Sequence, residues 1–205
     1  MPLATAQGAG RHGLAYDFDP GTGFLPPGRY ACTWREAEAL LVTNQRFANS
    51  KTRPGLWDNL ELFLAEYVNL ETRYSDLMPS SLVDRIWLAG SFVSDKLDPN
   101  NTDVTVVFNQ DAIHAVRGNE GAGILKESRD HWKNRYHVAM VPLEYRPVLS
   151  AFRPKAFTQA EQQYYRERGR WDDWWQRTRE GSATGEPTLE TAVPRRGYLE
   201  VSLDD

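Results

Sequence analysis

Two short β-rich runs lie close together in the middle of the chain, Val83-Asp84-Arg85-Ile86-Trp87-Leu88-Ala89 and Asp103-Val104-Thr105-Val106-Val107-Phe108. Each is rich in β-branched or aromatic residues, and the second alternates, as half-buried strands do. Gly90-Ser91 ends the first run, and a polar loop with Pro99-Asn100-Asn101 as its turn leads to the second. This arrangement restricts the chain to folds with neighbouring strands. A third run, Tyr136-His137-Val138-Ala139-Met140-Val141, reads as a further strand, with Pro142 at its end or on a sheet edge.

Helical patterns flank these strands. Thr33-x-x-Glu36 is a capping box and opens a helix expected to reach about Ala48. Arg53-Pro54-Gly55 breaks the chain. Leu56, Leu60, Phe63, Leu64, Tyr67 and Leu70 then recur at helical spacing over a second helix, from about Leu56 to Tyr74. Asp111 caps a short helix, Gly118 to Gly123 form a turn, and Ile124 to Asn134 read as helix. Thr158-x-x-Glu161 is a second capping box and starts a long polar and aromatic helix. Residues 181–185 read as flexible, and 197–203 as a closing strand or docked peptide. The expected fold is therefore α/β (α+β in some schemes): a short mixed sheet with helices packed on one face, plus a long C-terminal helix. Residues 1–13 are expected to be disordered. Residues 14–205 should form a single domain, with N-terminal helices over 33–74, a core over 83–145, and a C-terminal helix and tail over 158–205. Phe18, Phe24 and Leu25 should pin an extended lead-in.

Composition excludes several classes. A hydrophobic share of 40% and a charged share of 25% over 205 residues suit a globular domain with a core of its own. No run approaches the roughly 18–20 apolar residues of a membrane helix. The N-terminal segment has no apolar core of a signal peptide, so the expected location is cytoplasmic. A single cysteine, Cys32, excludes an intramolecular disulfide and a Cys-rich zinc site. The four histidines form no metal-binding pattern. A net charge of −4 argues against bulk nucleic-acid binding. Residues 146–179 nevertheless carry eight Lys or Arg against four Asp or Glu, so the C-terminal helix could present a basic face to nucleic acid. Trp171, Trp174 and Trp175 share one face of that helix and are expected to pack on the sheet, with a protein-partner surface as the alternative.

The segment with chemical content is Leu88-Ala89-Gly90-Ser91-Phe92, followed after residues 93–102 by Asp103-Val104-Thr105-Val106. A strand that ends in Gly-Ser lets backbone N–H groups and a hydroxyl approach phosphates. Residues i and i+2 on a strand point to the same side, so acids at 103 and 105 could hold metal ions together. This pattern resembles the nucleotidyltransferase superfamily, of polymerase-β-like fold, in which Gly-Ser is followed by Asp-x-Asp/Glu on the next strand. With Phe24-Leu25-Pro26-Pro27-Gly28, the RGRWDDWWQRTR segment and the RRGYLEV ending, the likeness spans residues 18–203. It looks like a small uncharacterised prokaryotic branch with a degenerate acidic motif.

The resemblance implies that Gly90 and Ser91 bind nucleotide, that Asp103 holds Mg²⁺, and that Asp103 and Ser91 are the catalytic residues. Thr105 departs from the pattern, since the second acid is absent. The third acid belongs on the next strand, where His137 stands and no acid occurs before Glu144. Mg²⁺ would bind weakly there, with an NTP as the nucleotide. Two functions follow. One is a partner- or nucleotide-binding component of a toxin–antitoxin or defence-type system. The other is an active Mg-dependent transferase that moves a nucleotidyl group from an NTP to a protein or RNA hydroxyl.

Overall fold

Alternation along the strands sorts the residues of one sheet between two cores. The computed structural model describes residues 16–149, 151–153, 156–178 and 188–203; the readings made for 1–13 and 181–185 lie outside them. Its strands are β1 (Gly28–Thr33), β2 (Val83–Ala89), β3 (Thr102–Asn109), β4 (Val138–Tyr145) and β5 (Gly197–Ser202). They form a five-stranded mixed sheet in the order β1-β5-β2-β3-β4. β2 runs antiparallel to both β3 and β5, while the β1–β5 and β3–β4 pairs are parallel.

Ile86, Leu88, Val104, Val106, Phe108, Met140, Leu199 and Val201 face the larger core. The alternate residues Trp87, Ala89, Val107, Leu143 and Tyr198 face a smaller one. This is the period-two rule at work on every strand. Helices α1 (Trp34–Leu41), α2 (Arg53–Arg73), α3 (Gln110–Val116) and α4 (Arg129–Tyr136) supply the larger core, on one face, as expected. Helix α5 (Gln159–Trp175) covers part of the opposite face through Tyr164 and Trp175. Both expected capping boxes form, at Thr33 and Thr158. Phe18 and Leu25 are buried, so the lead-in is pinned as read.

Several boundaries differ from the sequence reading. Residues 28–33 pair with the C-terminal strand as β1, which local patterning did not reveal. Helix α1 stops at Leu41, because the Asn44 side chain accepts from the Arg46 amide and starts a separate 3-10 turn. Helix α2 begins at Arg53: Pro54 sits in the first turn, where its missing N–H costs nothing. The helix expected over 124–134 divides into a 3-10 turn, Ala122–Lys126, and α4, capped by Ser128. The third strand starts at Val138, since His137 adopts a left-handed φ of 55° that closes α4. Pro142 lies inside β4, an edge strand, as one of the two readings had it.

Arg53 joins the two ends of the larger core. It is fully buried, and its guanidinium lies 3.6 Å from the Phe47 ring centroid. Nη1 donates to the carbonyls of Leu41 (2.8 Å) and Phe92 (2.9 Å), and Nη2 to those of Ser94 and Lys96, both at 2.7 Å. Burial pulls its pKa down to about 10, against the pull of Asp95 and Asp98, so it stays protonated at neutral pH. One side chain thus ties α1 to the loop that follows Gly90-Ser91. Arg53→Met keeps most of the volume and removes every donor. It should cost about 3–5 kcal/mol in urea unfolding, because several buried carbonyls lose their partner at once. A cost below about 1 kcal/mol, the level of an ordinary surface change, would show that the clamp is dispensable.

Candidate functional site

The end of β2, the start of β3 and the first turn of α4 converge on one corner of the sheet. Gly90 closes β2 with a φ of 70°. A Cβ there would overlap the Asp103 carboxylate, with Asp103 Cγ only 2.8 Å away. Only glycine combines that backbone angle with so close an approach. Ser91 follows in a 3-10 turn, Gly90–Phe92. Its carbonyl accepts from Ser94 Oγ at 2.8 Å, while its hydroxyl makes no hydrogen bond to the described residues. The loop beyond is held by Arg53 and by Asp98, which accepts from the Lys51 amide at 2.7 Å and from Ser50 Oγ at 3.1 Å. Gly90, Ser91 and Asp103 therefore meet in one place.

Asp103 stands opposite Ala89 on β2 and Ala139 on β4. Arg129, the first residue of α4, pairs with it: Nη2 lies 3.2 Å from Oδ1. The Asp103 side chain is 20% exposed and that of Arg129 53%, so the pair sits at the mouth of the corner. Burial raises the Asp103 carboxyl pKa, and the positive charges of Arg129 and Arg196 oppose that rise. Arg196 is itself tied to α5, its Nε donating to the Trp175 carbonyl at 3.1 Å.

Thr105 shares the face of Asp103 but is closed off. It is fully buried, and its Oγ1 accepts a hydrogen bond of 2.8 Å from the Trp175 indole N–H. Trp175 is 3% exposed and stacks on Trp171, with ring centroids 5.7 Å apart. The Tyr198 hydroxyl donates to Asp172 and ties α5 to β5 from the other side. The aromatic face of α5 thus packs on the sheet, with Trp175 as its buried member.

The positions where β4 could supply an acid are Ala139 and Val141, which stand opposite Asp103 and Thr105. His137 is exposed and caps α4 outside the strand. Glu144 pairs in register with Phe108, roughly 16 Å along the strands from Asp103 and on the other face. Mg²⁺ prefers an octahedron of oxygens that includes one or two free carboxylates. Here the corner offers one carboxylate, already paired with a guanidinium, and a hydroxyl already used by an indole. A two-metal site does not fit these residues. Among the described residues, no group of three His, Cys, Asp or Glu side chains stands close enough to hold a metal ion.

Elsewhere, a cavity of about 250 Å³ opens between α3, the 122–126 turn and β4, lined by Phe108, Ile113, Leu125 and Glu144 among others. It lies toward the opposite end of β3 from Asp103. Cys32 is buried, and burial pushes its thiol up to about 12, which leaves it an inert core residue at neutral pH. None of the helices among the described residues is long and apolar enough to cross a membrane.

Sequence reasoning located Gly90, Ser91 and Asp103 but missed Arg129, Arg196 and the indole on Thr105. Arg196 lies in the RRGYLEV ending, where nothing local ties it to Asp103. The Ser128 cap, which starts α4 at Arg129, is the one signal that could have placed the latter at a helix start.

The chain belongs to a family of unknown function, DUF6932, whose model matches residues 16–202. No curated protein and no solved structure matches it.

The closed position at Thr105 can be probed directly. Thr105→Asp puts a carboxylate into a fully buried position against the indole and should cost about 3–5 kcal/mol in urea unfolding, as a buried charge without a partner of its own does. Mn²⁺ titration should show no gain in affinity. A variant as stable as wild type that gains Mn²⁺ binding would mean that the position opens readily.

Proposed function

We propose that this protein is a nucleotidyltransferase-like scaffold that has given up nucleotidyl transfer and acts as a binding component. Its ligand is a partner or a nucleotide, in the cytoplasm, and the toxin–antitoxin or defence-type setting implied by the resemblance supplies the kind of partner it would engage. The observation that carries this reading is the hydrogen bond from Trp175 to Thr105. It occupies the place where a transferase of this kind needs its second acid.

The rest of the corner agrees. A nucleotidyl transfer needs an activated attacking hydroxyl and a stabilised leaving pyrophosphate, tasks that paired metal ions perform together. Asp103 alone cannot hold such a pair, and its charge is already balanced by Arg129. Fold-level likeness does not by itself confer activity. The alternative, active transfer to a protein or RNA hydroxyl, draws on the meeting of Gly90, Ser91 and Asp103. It lacks acids at the positions of Thr105 and Ala139.

The test is incubation of the purified protein with each α-labelled NTP, Mg²⁺ or Mn²⁺, and a cell extract. No label should be transferred above the level of the Asp103→Ala variant. Metal-dependent labelling that disappears in that variant would overturn the proposal.

A further inference from the structure

We infer that Arg129 takes over the work of the metal, so that the Gly90–Ser91–Asp103 corner binds a phosphate-bearing ligand without a divalent cation. The inference rests on the reading of the corner as a metal-free derivative of a nucleotidyltransferase site. It adds what the site binds and which group supplies the charge.

The charge balance is the first argument. In a metal-dependent site, carboxylates hold cations and the cations hold the phosphates. Here one carboxylate, Asp103, is paired with the Arg129 guanidinium at 3.2 Å, and the positive charge of Arg196 acts on it as well. The carboxylate is met by a cation of the protein before any metal arrives.

Donor geometry is the second. A guanidinium carries five N–H donors in a planar fork that matches phosphate oxygens. Arg129 uses Nη2 toward Asp103 Oδ1, and its other N–H groups make no hydrogen bond to the described residues. More than half of its side chain surface is open to solvent. The Ser91 hydroxyl on the neighbouring turn is also without a partner among the described residues. Both donors thus sit next to Asp103 in the fold, Arg129 through its ion pair and Ser91 through Gly90, whose Cβ position would meet the Asp103 carboxylate.

Rigidity is the third. Trp132, one turn after Arg129, is fully buried and packs edge-on against Phe63 at 5.1 Å. The Ser128 hydroxyl accepts from the His131 amide at 3.1 Å and fixes the first turn of α4. The Ser91 turn is held by Arg53 through the Phe92 and Ser94 carbonyls. These contacts fix the backbone that carries each donor, so only the side chains themselves must be ordered when a ligand arrives.

Asp103 then has a role opposite to that of a metal ligand. It is the anion that occupies Arg129 while the corner is empty, and an incoming phosphate must compete with it. Removing its charge should strengthen binding, whereas in a metal site the same change weakens it.

The experiment is titration calorimetry with inorganic pyrophosphate and with ADP, on the full chain, in EDTA and then in Mg²⁺, with thermal melts to confirm that each variant is folded. Wild type should bind both probes in EDTA. Asp103→Asn should tighten binding by about five- to tenfold, and Arg129→Ala should weaken it by at least about tenfold, as loss of a charge-assisted contact does. Arg129→Lys should fall between, since a point charge replaces a fork. Folded wild type that binds neither probe in EDTA or in Mg²⁺, together with no nucleotidyl transfer, would overturn this inference and leave the closed-site reading intact. Binding that requires Mg²⁺ and is lost in Asp103→Asn would overturn both.

Discussion

The last strand of the chain sits in the middle of the sheet. β5 joins β1 on one side to β2 on the other, and β1 has no other strand neighbour. The sheet is therefore incomplete until residues 197–202 arrive. Space for them is tight: a Cβ on Gly197 would lie 2.5 Å from the Pro26 carbonyl oxygen, and the Gly197 amide donates to the Leu25 carbonyl at 2.7 Å. The segment before β5 must bring the chain back to the corner end of the sheet. The amides of Arg195 and Arg196 donate to the Gln176 carbonyl at the end of α5, and the Arg196 charge acts on Asp103. Seating β5 is what sets Trp175 over Thr105.

The pleat of β3 decides what that closure covers. Val104, Val106 and Phe108 go to the larger core, and Asp103, Thr105 and Val107 to the other face. The same geometry would align two acids for metal binding. Here it delivers Thr105 to an indole N–H in a fully buried position. A neutral hydroxyl meets that donor at little cost, whereas a carboxylate would lose its hydration there. The neutral residue at 105 and the packing of α5 are thus two sides of one arrangement. Asp103, two residues nearer the mouth, is paired with Arg129 from α4, whose charge opposes the rise that burial gives its carboxyl pKa.

Local chemistry was legible in the sequence and long-range pairing was not. The capping boxes at Thr33 and Thr158 involve residues three apart and read directly. So did Gly90, whose tight approach to Asp103 follows from two adjacent strands joined by one loop. β1 escaped notice because Arg29 and Ala31 are exposed, Tyr30 is half-buried, and only Cys32 of that strand is well buried. The central seat of β5 depends on partners more than a hundred residues away, which no local pattern encodes. Arg53 looked like part of a chain break beside Pro54, since nothing in its sequence context separates a buried arginine from a surface one. Tyr136-His137 reads as strand because it runs into apolar residues, yet α4 needs a left-handed residue to end on, and His137 takes that conformation.

The central claim is that guanidinium charge, rather than metal, faces Asp103. Anomalous diffraction from crystals soaked in Mn²⁺ tests it most directly. The Asp103–Arg129 pair should remain in place, with no anomalous peak at ligand distance from the Asp103 carboxylate and Trp175 still on Thr105. A Mn²⁺ ion bound to Asp103, with Arg129 displaced, would contradict it.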